Sequence, residues 1–373
     1  MTDDDRQRAA ETPPGEAGSE GAPAAAPAGD AEPAAAATPV EVPPEGDGSA
    51  ATGDAEAPPQ AGKPEKGKKR GNWWDDIKAI FWLLLAVLLF HSCVAKPFYI
   101  PSESMMPGLL KGDRLVVSKF PYGWSWVSPS FHIFPHWQGR IWGSMPRRGD
   151  IVIVTPPNSS SDYIKRVIGL PGDTIQVIDG QVILNGRPLR RETQAPTMIP
   201  LDANVPCGIE GNSPDAIASR RWRAQGTDGR WYCRMPVFRE YIPDGDELRA
   251  YDTIDSGWSP SDDYPNSENG PQSAPYYRVP AGQMFLMGDN RDDSADSRVA
   301  LDQQGLGGAV PWENIGGRAE FITFSLDGSS SYWNPISWFT ALRGGRAGSS
   351  LHPTGQPAAQ GQTQNQDQGA PRP

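Results

Sequence analysis

The stretch DYIKRVIGLPGDTIQVIDGQVILNG, residues 162–186, sets three runs rich in Val, Ile and Leu between the turn signals PGD, DG and NG. β-Branched residues favour strands, and turn pairs at such short intervals leave no room for a helix. IDGQVILNG predicts a hairpin with Asp179-Gly180 at its tip. The same pattern recurs outward: DRLVVSKF (113–120) and GDIVIVTPP (149–157) upstream, GQMFLMGD (282–289) and GRAEFITFSL (317–326) downstream. The expected fold class is therefore mainly β. Residues 190–278 carry Arg, Asp, Pro, Ser and isolated aromatics with weaker alternation. They are expected to form a smaller β subdomain inserted between two parts of a core, 97–189 and 279–343.

The ends of the 373-residue chain differ in character. Residues 1–70 are Ala-, Pro-, Gly- and Glu-rich, and Val40 and Val42 are their only Val, Ile, Leu, Phe or Trp. Such a segment buries too little apolar surface to offset chain entropy, so a disordered acidic tail is expected. Residues 1–62 hold 13 acidic and 2 basic residues, hence −11, the net charge of the whole chain. The remainder sums to zero, and no basic stripe points to nucleic acid. Gly, Gln, Ala and Pro return in 344–373, where a second disordered tail is expected.

AIFWLLLAVLLFHSCVA, residues 79–95, carries no formal charge and is flanked by Lys78 and Lys96. With Trp73, Trp74 and the lysine stems at its ends it is long enough for a membrane-spanning helix, expected over 75–96. SCVA also offers the small residues of a cleavage site, but a seventy-residue preamble favours a retained anchor. KPEKGKKR (63–70) places five basic residues before the run and Lys96 alone follows it, so the N-terminus is expected in the cytoplasm and the bulk of the chain outside. Cys93 lies in the run. Cys207 and Cys233 then remain as a pair in an oxidising compartment, where a disulfide is expected. Trp124, Trp126, Phe131, Phe134, Trp137 and Trp142, between 121 and 146, suit either core or a surface dipping into the lipid interface.

Three segments carry candidate chemistry. PSESMMPGLL (101–110) sets Ser102 and Ser104 between prolines and methionines, a stiff and apolar frame for a reactive hydroxyl. A histidine base for it is improbable: His91 lies in the apolar run, His132 and His136 in the aromatic loop, His352 in the tail, and no G-x-S-x-G turn occurs. The pair at 132 and 136 also lacks a third metal ligand. Lys165 lies in DYIKRVIGL, where alternation puts it on one strand face with Tyr163 and Val167. Spacing alone favours a lysine reaching to solvent, whereas burial would lower its pKa and make it a base. GDNRDDSADSR (288–298) reads as a polar turn, an incomplete calcium loop, or a hydrogen-bonded buttress with Asp296 and Arg298 paired.

PSESMMPGLLKGD, RRGDIVIV with DYIKRVIGLPGD, and GDNRDDSADSR, in that order after an N-terminal anchor, closely resemble the bacterial type I signal peptidases, the leader peptidases. The resemblance covers most of 80–326. It implies a β-rich catalytic core with an inserted second domain, and a membrane-anchored serine endopeptidase that removes signal peptides from exported preproteins. Ser104 would be the nucleophile and Lys165 the general base. Ser102 and the Ser104 amide would form the oxyanion hole, and Ser294 would hold the Lys165 ammonium. Phe98, Ile100, Met105, Leu109, Tyr163 and Ile164 would line small apolar pockets, with the signal peptide added as a strand beside 98–102 and 162–164. Asp289, Asn290, Arg291, Asp296 and Arg298 would be structural. No cofactor or metal is implied. The partners would be signal peptides and membrane lipids near the secretion translocon, in the bacterial inner membrane. Gly108 and Asp293 depart from the family's usual Thr and Asn.

Two other readings stay open on the residues alone. One is an anchored, non-catalytic exported β-domain that binds peptides or envelope proteins. The other is a self-cleaving Ser/Lys protease of the repressor type, against which the membrane run argues.

Overall fold

The computed structural model describes residues 73–357 other than 130–134, 136, 158, 160, 208–221, 256–262, 267, 268 and 272. The expected acidic tail, Phe131, Phe134, His132, His136 and everything after 357 thus lie outside the described residues. The chain opens with helix α1 (Trp73–Cys93), which buries none of its side chains. Its 21 residues are long and apolar enough to cross a membrane, at about 1.5 Å of rise each. It starts two residues earlier and ends three residues earlier than the expected 75–96. Lys96 instead belongs to strand β1 (Ala95–Tyr99).

Fifteen further strands follow: β2 (Asp113–Ser118), β3 (Ile151–Val154), β4 (Tyr163–Gly169), β5 (Thr174–Ile178), β6 (Gln181–Leu184), β7 (Arg187–Pro188) and β8 (Arg190–Pro200) in the first half. Then come β9 (Arg223–Gln225), β10 (Trp231–Asp244), β11 (Glu247–Ile254), β12 (Tyr277–Arg278), β13 (Gln283–Met287), β14 (Val310–Pro311), β15 (Ile315–Ser325) and β16 (Thr354–Pro357). A single turn of helix, α2 (Pro335–Thr340), sits after β15. The main sheet runs β1-β2-β15-β3-β4-β13-β14. A second sheet runs β16-β11-β10-β8, with β9 on β10, and a small one β12-β5-β6-β7.

Local chemistry explains the turns. Asp179 and Gly180 connect β5 to β6 with φ of 48° and 72°, and Asn185 and Gly186 connect β6 to β7 with 54° and 75°. Two positive φ values in a two-residue loop match the right-handed twist of a hairpin, and Asp-Gly and Asn-Gly reach them at least cost. The strand β4 lies between β3 and β13, so six of its seven residues are buried. Ile164 packs with Ile100, Met105, Leu109, Leu115 and Ile153 on one side, while Val167 joins Val152, Val154, Met284 and Leu286 on the other. Each such side chain contributes about 1.5–3 kcal/mol on leaving water.

The strands of 190–254 build the second sheet, the smaller β subdomain between the two parts of the core, with β16 from the far end of the chain added at its edge and β12 paired with β5. One expectation is corrected here. Residues 344–357, expected to be disordered, are instead packed. Arg346 pairs with the buried Asp113, Leu351 enters the core, His352 Nε2 lies 2.7 Å from Glu320 Oε2, and β16 completes the edge of β11. Low hydrophobicity misled, because a strand added to an existing edge gains backbone hydrogen bonds and needs few apolar side chains. Cys207 and Cys233 are bonded, with Cα atoms 5.4 Å apart.

Candidate active site

Ser104 sits in a tight turn between β1 and β2 that is gripped from two sides. Met105 and Leu109 face the core around Leu115, and Met106 and Leu110 face a second cluster built on the disulfide, Val205 and Ile254. The Met106 amide donates to Glu103 O at 3.0 Å and the Leu109 amide to Met105 O at 2.9 Å. The Leu110 amide donates to Asp113 Oδ2 at 2.8 Å. Alternating apolar side chains thus fasten the turn to two cores at once, which is why the sequence around the serine is so apolar.

Strand β4 delivers Lys165, in register with Val152 of β3. Its Nζ lies 2.9 Å from Ser104 Oγ, with the residues 4 % and 6 % exposed. Burial lowers the Lys165 pKa from 10.5 to about 8, because the ammonium loses its water shell. Asp296, Asp293 and Asp289 act against that shift and Arg298 acts with it. The Tyr163 ring centroid is 5.6 Å from Nζ. Ser102 is an exposed residue, and its Oγ lies 3.4 Å from Ser104 Oγ.

The turn 288–298 closes the other side. The Asn290 amide donates to Ser104 O at 3.1 Å, and Asn290 Nδ2 to Glu103 O at 3.2 Å. Three buried ion pairs hold this turn. Arg166 donates twice to Asp289 at 2.6 Å, Arg291 pairs with Glu240, and Arg298 pairs with Asp296 at 2.9 Å. Asp296 also accepts from the Gly288 amide at 2.9 Å. A Cβ on Gly288 would meet Ser294 Oγ at 2.2 Å and Ser104 O at 2.6 Å, so only glycine permits this approach. The Asp296–Arg298 pairing expected from the sequence is present. Ser294 is not bonded to Lys165: its Oγ is buried against Gly288 without a hydrogen-bond partner among the described residues.

A cleft of about 380 Å³ opens on the pair. Phe98, Ile100, Tyr163 and Ile164 line it as expected, together with Tyr99, Ile153, Asp162, Asp293 and Ala295. Met105 and Leu109 do not: both are 0 % exposed and belong to the core beneath. The larger cavity of about 1190 Å³ between β8 and residues 340–346 has no nucleophile–base pair in its lining. Arg166 and Glu240 were missed as supports. Arg166 adjoins Lys165 in the quoted stretch and was within reach, but Glu240 meets Arg291 from 51 residues away, with no local signal.

Comparison with known proteins identifies the family. A family model described as signal peptidase, peptidase S26, matches residues 73–324. Over 247 residues the chain is 36 % identical to signal peptidase I of Rickettsia prowazekii (strain Madrid E), covering 65 % of this chain and 77 % of that protein. Over 251 residues it is 36 % identical to signal peptidase I of Rickettsia canadensis (strain McKiel), covering 66 % and 78 %.

Proposed function

Because the chain belongs to the signal peptidase family, peptidase S26, we propose that it removes signal peptides from exported preproteins with Ser104 as nucleophile and Lys165 as general base. The observation that carries this assignment is the 2.9 Å approach of Lys165 Nζ to Ser104 Oγ in a buried site. A buried amine is neutral far more readily than a solvated one, and only the neutral amine accepts a proton. Lys165 takes the Ser104 proton as Oγ attacks the scissile carbonyl carbon. The Ser104 amide and the Ser102 hydroxyl then face the developing oxyanion, where one donor is worth about 10²–10³ in kcat. The Lys165 ammonium returns the proton to the departing amine, and the neutral amine next activates the water that hydrolyses the acyl-enzyme.

The signal peptide lies in extended form beside Phe98–Ser102 and Asp162–Ile164, with small side chains entering the apolar cleft. Helix α1 anchors the enzyme in the bacterial inner membrane with the catalytic part outside, close to where the translocon releases its substrates. Phe120, Trp124 and Trp142 support contact with the lipid surface. Trp142 is 88 % exposed, its ring stacks edge-on with Trp124, and Trp124 Nε1 donates to Cys93 O at the helix exit. Cleavage of a purified preprotein in detergent tests the assignment. Ser104→Ala and Lys165→Ala should each lose at least about 10³ of the activity while keeping the β-rich circular dichroism. Wild-type activity in either variant rejects the mechanism, whereas failure of the intact protein to cleave any preprotein favours a reading as a non-catalytic binding domain.

A further inference from the structure

The catalytic cleft contains one charged group that has neither a part in the mechanism above nor a side-chain partner among the described residues. Of its lining residues, Lys165 is engaged with Ser104, and the Asp162 carboxylate accepts the Thr155 hydroxyl at 2.8 Å. The Asp293 carboxylate has no hydrogen bond or ion pair among the described residues and is exposed to the cleft. Its backbone is fixed, because its amide donates to Asn290 O at 3.2 Å and Asn290 in turn holds Ser104 O. An unpaired carboxylate on a rigid turn at the edge of a substrate cleft is available to a charge carried by the substrate.

The side of the cleft follows from the chemistry. The strands that flank the signal-peptide portion are β1 and β4, whereas Asp293 comes from the opposite turn. Lys165 must deliver a proton to the leaving amine, so that nitrogen comes within about 3 Å of Nζ. Asp293 and Lys165 line the same cleft and act on each other electrostatically. The nitrogen that reaches Lys165 is the new N-terminus of the mature chain, and the first mature side chain accompanies it. Glu103, one residue before the nucleophile, is half-buried, and burial together with the Asp293 charge raises its pKa.

We propose that Asp293 is a specificity-determining residue for the mature side of the cut, drawing Lys or Arg at the first mature position into the cleft and rejecting Asp or Glu there. This rests on the assignment of Ser104 and Lys165 made above. The same charge carries a cost. Asp293, with Asp296 and Asp289, favours the Lys165 ammonium, while Arg298 opposes it. Asn at 293 would therefore let Lys165 deprotonate at lower pH while giving up charge selection.

The test uses the full chain in detergent and three preproteins that differ only in the first mature residue, Lys, Gln or Glu. Wild type should cleave them in the order Lys, Gln, Glu, with kcat/KM differing about tenfold between the extremes. Asp293→Asn should bring all three within about twofold of one another and move the rise of activity with pH to lower pH, a readout that a merely structural role would not shift. Equal rates in wild type overturn the proposal, as does an Asp293→Asn enzyme that keeps the tenfold ratio. Failure of wild type to cleave any of the three overturns the Ser104–Lys165 assignment itself, and this proposal with it.

Discussion

Under the proposed mechanism Lys165 couples catalysis to stability through one proton. Its amine is neutral above about pH 8 in the folded chain, against 10.5 for an ordinary lysine. Activity should thus climb about tenfold per pH unit below 8 and level off above it, which a kcat/KM profile reads directly. The linkage has a definite sign. Between pH 8 and 10.5 the unfolded chain binds a proton that the folded chain has released, so stability rises with pH across that window. Below pH 8 the buried ammonium costs folding about 3 kcal/mol. Lys165→Met should be inactive yet more stable than wild type at pH 7 by that order, and the gap should close as the pH passes from 8 to 10.5 in urea titrations. Gly108 is a second residue worth altering. A Cβ there would lie 3.8 Å from Met105 O, and its φ is not in the left-handed region, so a side chain fits. Gly108→Ala should raise stability by about 0.4–1 kcal/mol through the unfolded state, as read from the urea midpoint.

At the scale of elements, the turn 288–298 depends on charges supplied by β4 and β10. Asp289→Asn leaves the Arg166 guanidinium buried without its carboxylate, at a cost of about 3–5 kcal/mol, and should lower kcat by loosening the Asn290–Ser104 contact. Urea unfolding and initial rates check both. Much at this scale was legible in the sequence. The runs at 113–120, 149–157, 162–170 and 282–289 each contain a strand, because β-branched alternation and Asp-Gly or Pro-Gly turns act locally. The proposed dyad residues, Ser104 and Lys165, were legible only through the family pattern. Spacing favoured a solvent-facing Lys165, and nothing local says that β3 and β13 cover both faces of β4. Met105 and Leu109 were misplaced for the same reason: a turn gripped by two cores sends its apolar side chains inward, away from substrate. Strands β8, β10 and β16 were not legible as separate elements, since their burial depends on partners far along the chain.

For the molecule as a whole, the segment after α2 binds distant parts together. Arg343 donates to Asp202 at 2.7 Å, Arg346 to Asp113 at 2.9 Å, and β16 pairs with β11. Ending the chain at residue 343 should unpair the buried Asp113, expose Leu351 and free the β11 edge. The expected outcome is a loss of several kcal/mol in urea unfolding and a nucleophile turn that is cut faster by added protease. The strand order has a temporal corollary. The strand β15 sits between β2 and β3 in the main sheet although it is made more than 150 residues after either begins, as residues 113, 151 and 315 mark their starts. Until residue 325 is made, β2 has no neighbour toward β3, and Ser104, carried by the turn before β2, is not yet faced by Lys165. On the proposed assignment the protease would therefore be silent during its own synthesis and export, its power to cut appearing only once nearly the whole chain is made.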